Sequence, residues 1–144
     1  MKEEETIEKR LALEKTLREN PAVVALGVGD LLFKDDGSVE IPLPVKKEHT
    51  NIHGIVHGGI FVTLLDTAMG YACYYSAGRP CVTLNIGTSF IANCQPGCVV
   101  IARGRLLHAG HKVMVTEGEV VDANGRILAK GQGTFFALPD ESQS

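Results

Sequence analysis

The chain has 144 residues, of which 44% are apolar and 22% are charged, and its 14 basic and 17 acidic side chains give a net charge of −3. This length and composition are typical of one globular domain with its own hydrophobic core. A nucleic-acid-binding surface needs a clustered excess of Lys and Arg, so we expect no nucleic-acid partner.

The cysteines and the N-terminal segment predict a cytoplasmic protein with reduced thiols. Cys94 and Cys98 form a C-x-x-x-C pair, without the second pair that would complete a zinc site. Residues 1–11 are acidic and polar, which is not typical of a secretory signal.

The apolar residues 60–77 approach the length of a membrane-spanning helix. Asp66 lies within this stretch, together with Thr63 and Thr67. An ionisable residue in that position favours a buried core helix, and we expect no membrane partner.

A helix is predicted over residues 3–19, where Ile7, Leu11, Leu13 and Leu17 recur among charged residues with about a 3.6-residue period. Pro21 closes this helix. We expect the helix on the outside of the domain, with this apolar stripe docked.

Two strands are predicted over residues 27–33 and 38–45, joined by a tight turn at Asp36-Gly37. Pro42 and Pro44 cannot donate hydrogen bonds to a sheet, so the second strand is expected to be irregular or at an edge.

A central helix over residues 58–76 and four more strands complete the predicted fold. The links between these strands are short, which predicts antiparallel neighbours, and Asn124-Gly125 is a type I′ hairpin signature. The four strands are predicted over residues 81–92, 98–108, 112–121 and 126–138.

Small residues on the last strand indicate where the central helix packs. Ala129, Gly131, Gly133 and Phe135 would share one face and allow a second backbone to approach. The predicted class is α+β, a single domain over residues 1–144. In it, a curved antiparallel sheet of about five or six strands wraps around one long central helix, with an extra N-terminal helix.

Asp66 is the only formally charged residue between His49 and Gly78. A carboxylate in an apolar helix costs free energy unless water, a partner or a reaction makes use of it. It could act as a general base or a nucleophile. Alternatively, hydroxyl groups of nearby threonines satisfy it as a structural residue, and the candidates are Thr63, Thr67 and Thr83.

His57-Gly58-Gly59 would lie at the start of the central helix, where backbone N–H groups are unpaired and the dipole end is positive. Such donors can form an oxyanion hole. A glycine pair can also serve a simple steric need.

Gly58 and Asp66 are eight positions apart, which on one helix means about 12 Å along the axis. One carbonyl group cannot contact both residues at that distance. If they serve one reaction, they come from two copies of the chain, arranged as a two-fold dimer with antiparallel central helices.

The pattern N-x-H-G-x-x-H-G-G-x-x-x-x-L-x-D-x-A, which spans residues 51–68, resembles that of the hotdog-fold acyl-CoA thioesterases, in particular the PaaI-like branch associated with phenylacetate degradation. The order of helices and strands is also similar to that family over nearly the whole chain.

The resemblance implies roles for six residues. Asp66 corresponds to the catalytic base or nucleophile, Gly58 to the backbone donor to the thioester oxygen, and Asn51 to a polar loop residue that helps to place the water or the thioester. His57 and Gly59 belong to the same substrate-binding motif, in which His57 orders the loop. Thr83 falls near a hydroxyl residue that orients the water.

The resulting hypothesis is an enzyme that hydrolyses an acyl- or aryl-acyl-CoA to a carboxylic acid and CoA, with no cofactor or metal. The resemblance also implies a homodimer that pairs further into a homotetramer. The rival hypotheses are a non-catalytic acyl-CoA-binding protein, a hydratase of the same fold and a structural dimerisation domain.

Three further groups of residues have alternative interpretations. The spacing of His49, His53 and His57 suggests a metal-binding helical face, but the intervening glycines disfavour a helix there. Possible ligands of the CoA phosphates are Arg103, Arg105 and Lys112, although solvated strand charges are the simpler interpretation. Residues that could line an acyl pocket are Tyr71, Tyr74 and Tyr75, although core residues are the simpler interpretation.

Overall fold

The computed structural model describes residues 2–139 and contains three α-helices and six β-strands in that range. A short 3₁₀ helix, Lys47–His49, precedes the longest helix. The helices are α1 (Lys2–Glu19), α2 (Pro21–Leu26) and α3 (Gly58–Ala77). The strands are β1 (Leu32–Phe33), β2 (Val39–Pro44), β3 (Cys81–Phe90), β4 (Val99–Ala109), β5 (Val113–Asp122) and β6 (Ile127–Ala137).

The six strands form one antiparallel sheet in the order β1-β2-β4-β5-β6-β3. Helix α3 packs on one face of this sheet, and its buried side chains include Phe61, Leu64, Leu65, Ala68 and Met69. The predicted α+β fold, with one long helix against a curved antiparallel sheet and an additional N-terminal helix, is confirmed.

The expectation that β3 and β4 are neighbours is wrong. Strand β3 pairs with β6 at one edge of the sheet, whereas β4 pairs with β2 and β5. Residues 91–98 connect the two strands. This link can extend over roughly 26 Å, more than the three strand spacings of about 4.8 Å each that it has to cross.

Three glycines lie side by side under α3, because the sheet register pairs Gly104 with Gly118 and Gly118 with Gly131. A Cβ atom built on Gly104 would lie 2.5 Å from the backbone of Ala68 and Met69. The predicted inner face of the last strand is buried as expected. The closest approach between helix and sheet, however, is on β4.

The N-terminal region differs from the prediction in three ways. Pro21 does not only end α1, because it also begins the short helix α2, in which proline occupies the first turn. The strand predicted over residues 27–33 is reduced to Leu32–Phe33. Ile7 and Leu11 are 56% and 58% exposed, so the docked stripe of α1 contains Leu13 and Leu17 but not these two residues.

No helix within residues 2–139 is both long and apolar enough to cross a membrane. This includes α3, which carries Asp66.

Replacing Gly104 by alanine should destabilise the fold by about 3 kcal/mol, because the added methyl group would overlap a helix backbone that cannot move aside like a flexible side chain. Chemical denaturation of Gly104→Ala measures this change. Gly87→Ala is the matched control, since no atom lies within 4 Å of its Cβ position. Equal unfolding free energies for the two variants would contradict the close approach.

Candidate active site

Asp66 is half-buried on α3, and a residue of the neighbouring strand β3 binds its carboxylate. The Thr83 hydroxyl donates a hydrogen bond to Asp66 Oδ1. No other hydrogen bond or ion pair to this carboxylate comes from the rest of residues 2–139. Its second oxygen is therefore available to a ligand or to water.

The alternative that a threonine hydroxyl caps Asp66 holds for Thr83 but not for Thr63 or Thr67. Thr63 Oγ1 donates to the Gly59 carbonyl at 2.9 Å, and Thr67 Oγ1 donates to the Thr63 carbonyl at 2.7 Å. Both hydroxyl groups thus bond back to their own helix, a common arrangement for Thr within helices. Thr83 alone of the three candidates contacts the carboxylate.

His57 is the N-cap residue of α3, with extended backbone angles. Its Nδ1 atom accepts a hydrogen bond from the Gly59 N–H at 3.1 Å. Among the described residues, no acceptor is found for the Gly58 N–H. Since the Gly59 N–H is bonded to His57, the Gly58 N–H is the backbone donor that remains available at this positive end of the helix.

Both glycines also meet a steric need. A Cβ on Gly58 would lie 3.2 Å from the ring of Phe90, and a Cβ on Gly59 would lie 3.3 Å from His57 Nδ1. The steric and the donor interpretations are therefore compatible, and separating them requires two variants that both add a Cβ at Gly58, of which only one removes the N–H.

Asn51 lies in a tight loop that leads into α3. Its Oδ1 atom accepts a hydrogen bond from the His53 N–H at 2.9 Å, and its backbone N–H donates to the Ile55 carbonyl at 2.9 Å. Gly54 closes the turn with φ of 76°, a left-handed conformation that favours glycine. The side-chain oxygen is thus used within the loop, and the amide NH₂ group remains available as a donor.

The metal interpretation of the histidines does not fit the geometry. His49 is only 5% exposed, and both of its ring nitrogens are engaged: Nδ1 accepts from the Lys46 N–H at 2.9 Å, and Nε2 lies 2.7 Å from the Leu26 carbonyl oxygen. His49 thereby ties the loop to α2. In the described part of the chain, no cluster of metal-ligating side chains occurs.

The predicted site residues fall into two groups at opposite parts of α3. Asn51, His57, Gly58 and Gly59 lie at its N-terminal end, whereas Asp66 and Thr83 meet two turns further along. The eight-residue separation corresponds to about 12 Å along the helix. One protomer therefore does not bring the two groups together.

A pocket of about 260 Å³ opens beside Asp66 and includes residues that the sequence did not indicate. One of them is Asn20, from the junction of α1 and α2, which no sequence signal distinguishes. The remaining lining residues are Thr67, Gly70, Tyr71, Tyr74, Pro80, Cys81, Thr83 and Phe135.

The three tyrosines have different environments, so the interpretation of all three as core residues is only partly correct. Tyr71 and Tyr74 line the pocket with stacked rings whose centroids are 6.3 Å apart. Tyr75 packs against Phe33 at 5.0 Å between centroids, outside this pocket.

Two polar groups of the pocket have shifted pKa values. Burial raises the pKa of the Tyr71 hydroxyl, and hydrogen bonding by the Thr16 and Asn20 side chains acts in the opposite direction. A hydrogen bond with the Cys73 thiol lowers the pKa of Cys81, and the charge of Arg79 acts in the same direction. That bond, together with burial, raises the pKa of Cys73.

Two of the basic residues considered as phosphate ligands belong to ion pairs on the outer face of the sheet. Arg103 Nε lies 2.8 Å from Glu40 Oε2, and Arg105 pairs with Glu117. These contacts favour the interpretation as solvated strand charges. Lys112 is exposed and lies just before β5.

The chain belongs to the thioesterase superfamily, whose family model matches residues 53–129. The matched segment runs from the loop before α3 into β6 and includes Gly58, Asp66 and Thr83. The predicted class, a thioester hydrolase, is confirmed.

Named relatives support the predicted PaaI-like branch. The acyl-coenzyme A thioesterase PaaI of Escherichia coli is 30% identical over 109 residues, which are 76% of each chain. The human acyl-coenzyme A thioesterase 13 is 28% identical over 112 residues, which are 76% of this chain and 79% of that protein.

Solved structures show the same fold. The E. coli PaaI structure superposes with a TM-score of 0.83 at 26% identity and covers 92% of this chain and 95% of its own. A Streptococcus mutans protein bound to acetyl-CoA gives a TM-score of 0.72 at 25% identity, covering 77% of this chain and 89% of its own.

Replacing His49 by phenylalanine should cost about 2 kcal/mol of unfolding free energy or more. The change keeps the ring but leaves the Lys46 N–H and the Leu26 carbonyl without their partner. Denaturant unfolding measures the cost. His53→Phe is the control, since His53 is exposed. A cost for His49→Phe no larger than that for His53→Phe would contradict the structural role assigned to His49.

Proposed function

We propose that the protein hydrolyses acyl-CoA thioesters to a free carboxylic acid and CoA, at an active site shared between two copies of the chain. The observation that carries the proposal is the Asp66 carboxylate beside a pocket, with one oxygen bound by Thr83 and the other without a partner among residues 2–139. Bound acetyl-CoA in the S. mutans relative, and the acyl-CoA thioesterase names of the E. coli and human relatives, support this substrate class.

Asp66 would supply the reactive carboxylate. As a base, it takes a proton from water, whose oxygen attacks the thioester carbonyl carbon. As a nucleophile, it forms an anhydride that water then cleaves. In both routes the carbon–sulfur bond breaks, CoA leaves as a thiol after protonation, and Thr83 keeps the carboxylate oriented.

Gly58 would stabilise the negative charge that develops on the thioester oxygen, because its N–H lies at the positive end of α3 and has no acceptor among residues 2–139. In this proposal His57 and Gly59 form the cap that aims this donor. The Asn51 side-chain amide would be a second donor from the adjoining loop.

A second copy of the chain would bring these donors to Asp66. Strand β3 ends the sheet and carries exposed apolar residues, among them Val82 at 44%, Leu84 at 57% and Phe90 at 54%. An unpaired edge strand of this kind is a template for pairing with another chain.

The contacts of β3 and α3 also indicate a position for the two-fold axis. Thr83 bonds to Asp66, and the Phe90 ring lies beside Gly58. Each half of the site on α3 therefore has one residue of β3 next to it. An axis midway between them passes near Val62 on α3 and Gly87 on β3. It would pair β3 with the partner's β3 in antiparallel orientation, and each Gly58 would face an Asp66 of the partner.

Asp66→Asn should lower kcat for acyl-CoA hydrolysis by about 100- to 10,000-fold, because the amide can neither accept the proton nor attack the carbonyl. Thiol release from short, long and aromatic acyl-CoAs measures the rate. Asp30→Asn, a change at an exposed carboxylate, serves as the control. Wild-type turnover by folded Asp66→Asn would overturn the assignment, and CoA binding without turnover by the wild type would favour the non-catalytic rival.

Gly58→Pro should lower kcat by about 100- to 1000-fold, because it removes the proposed oxyanion donor. Proline is well tolerated at the first position of a helix, so the helix itself should persist. Gly58→Ala is the matched control, because it places the same Cβ against Phe90 but keeps the N–H. Equal losses of kcat in both variants would assign the effect to crowding rather than to the lost donor.

A further inference from the structure

Another pocket, of about 380 Å³, lies on the side of α3 that is turned away from the pocket beside Asp66. Its helical wall is formed by Ala72, Tyr75 and Ser76, whose spacing places them on one face of the helix. The two pockets have no lining residue in common, so they are separate spaces. The remaining walls come from α1, from the turn between β1 and β2 and from β4, with the residues Lys9, Asp36, Gly37, Arg105 and Leu106.

The sheet register explains why a pocket forms at this place. Strand β2 pairs with β4 only as far as the Val39–Gly104 pair, whereas β4 continues to Ala109. Among the described strands, none lies beside this last part of β4 on the β2 side. The floor of the resulting space is apolar, because Ala72 belongs to the hydrophobic core and Leu106 packs against it.

Two cations of α1 lie over one aromatic ring at this pocket. Lys9 Nζ is 4.5 Å and Arg10 Cζ is 5.9 Å from the centroid of the Tyr75 ring. Neither cation forms an ion pair with a carboxylate of residues 2–139. Arg10 Nε is in addition buried without an acceptor in that range, which costs free energy until an acceptor is supplied.

The charges around the pocket favour a ligand with a single negative charge. Arg105 is paired with Glu117, so these two charges cancel. Asp36 Oδ1 accepts hydrogen bonds from the Ser38 N–H at 2.9 Å and from the Ser38 hydroxyl at 2.6 Å, but Asp36 has no cation partner among the described residues. Two unpaired cations against one such carboxylate leave an excess of one positive charge. A phosphate ester, with a charge of about −1.5 to −2, matches this excess less well than a carboxylate does.

We propose that this pocket binds a monocarboxylate with an apolar chain. The carboxylate would lie at Lys9 and Arg10, and the chain would cover Ala72 and Leu106. A pocket of this size with an apolar floor and a few polar groups is typical of small-molecule sites. The acid released by the proposed reaction would be one member of this class, but binding at this pocket does not depend on that reaction.

NMR of the full-length protein at pH 7, observed at the methyl groups, tests the site with octanoate as the probe. Octanoate should shift the methyl signals of Ala72 and Leu106 until the site is saturated. Octanamide has the chain without the charge, and acetate has the charge without the chain. Each of these two should bind at least about fivefold more weakly than octanoate.

Two variants of the pocket and one control locate the binding. Lys9→Gln combined with Arg10→Gln should weaken octanoate binding by about fivefold or more. The control combines Lys15→Gln with Arg18→Gln, which removes the same charge from α1 outside this pocket, and should bind octanoate like the wild type. Ser76→Phe, at an exposed position, should weaken binding by filling the pocket while both cations remain.

Octanoate shifts confined to Thr67 and Thr83, which line the pocket beside Asp66, would overturn the inference. Equal affinity for octanoate and octanamide would overturn it as well, and so would unchanged octanoate binding in both pocket variants. An equal loss in the control would assign the effect to the general charge of α1 and not to this site. Because the measurement requires no turnover, its failure is distinct from a failure of the proposed thioesterase activity.

Discussion

The close contact between α3 and the sheet is the constraint on which the rest of the structure depends. Gly104, Gly118 and Gly131 form a continuous row across three strands, so the helix backbone packs where side chains would normally keep it away. Interiors packed to this degree do not deform gradually. The helix is thus fixed against the strands, and Asp66 is fixed against Thr83.

This rigid placement has a consequence for catalysis. The free donor at Gly58 and the carboxylate of Asp66 lie on the same fixed helix, about 12 Å apart along its axis. No local rearrangement of one protomer can bring them to the same carbonyl group. The unpaired edge of β3, which lies beside both residues, offers the surface through which a second copy would complete the site.

The site combines parts with different structural origins. Strand β3 supplies Thr83, α3 supplies Asp66 and Gly58, and the loop held by His49 supplies Asn51. Asn20, at the junction of α1 and α2, also lines the pocket beside Asp66. Under the proposed function, the family-matched segment would carry Asp66, Gly58 and Thr83, whereas Asn51 and the N-terminal helices lie outside residues 53–129.

Much of the fold could be predicted from local patterns. The apolar helix with its single carboxylate and the small residues of β6 each indicate their structure directly. The Asn124-Gly125 sequence correctly indicates the β5–β6 hairpin, but the predicted type I′ turn is wrong, because Gly125 has a positive φ of 84° and Asn124 does not. The β3–β4 connection could not be predicted in this way, because strand order depends on packing against α3 rather than on the length of a link. Similarly, the spacing from Gly58 to Asp66 is visible in the sequence, whereas the folded chain alone places Asn20 and Tyr71 in the lining of one pocket.

The shared active site is the central claim, and mixing two inactive variants tests it most directly. Asp66→Ala lacks the carboxylate, and Gly58→Pro lacks the donor, so a mixed dimer contains one intact site if the two groups come from different copies. After subunit exchange at equal concentrations, we predict recovery of about one quarter of the wild-type activity, because half of the dimers are mixed and each has one of its two sites restored. No recovery despite demonstrated exchange between folded subunits would contradict the shared site.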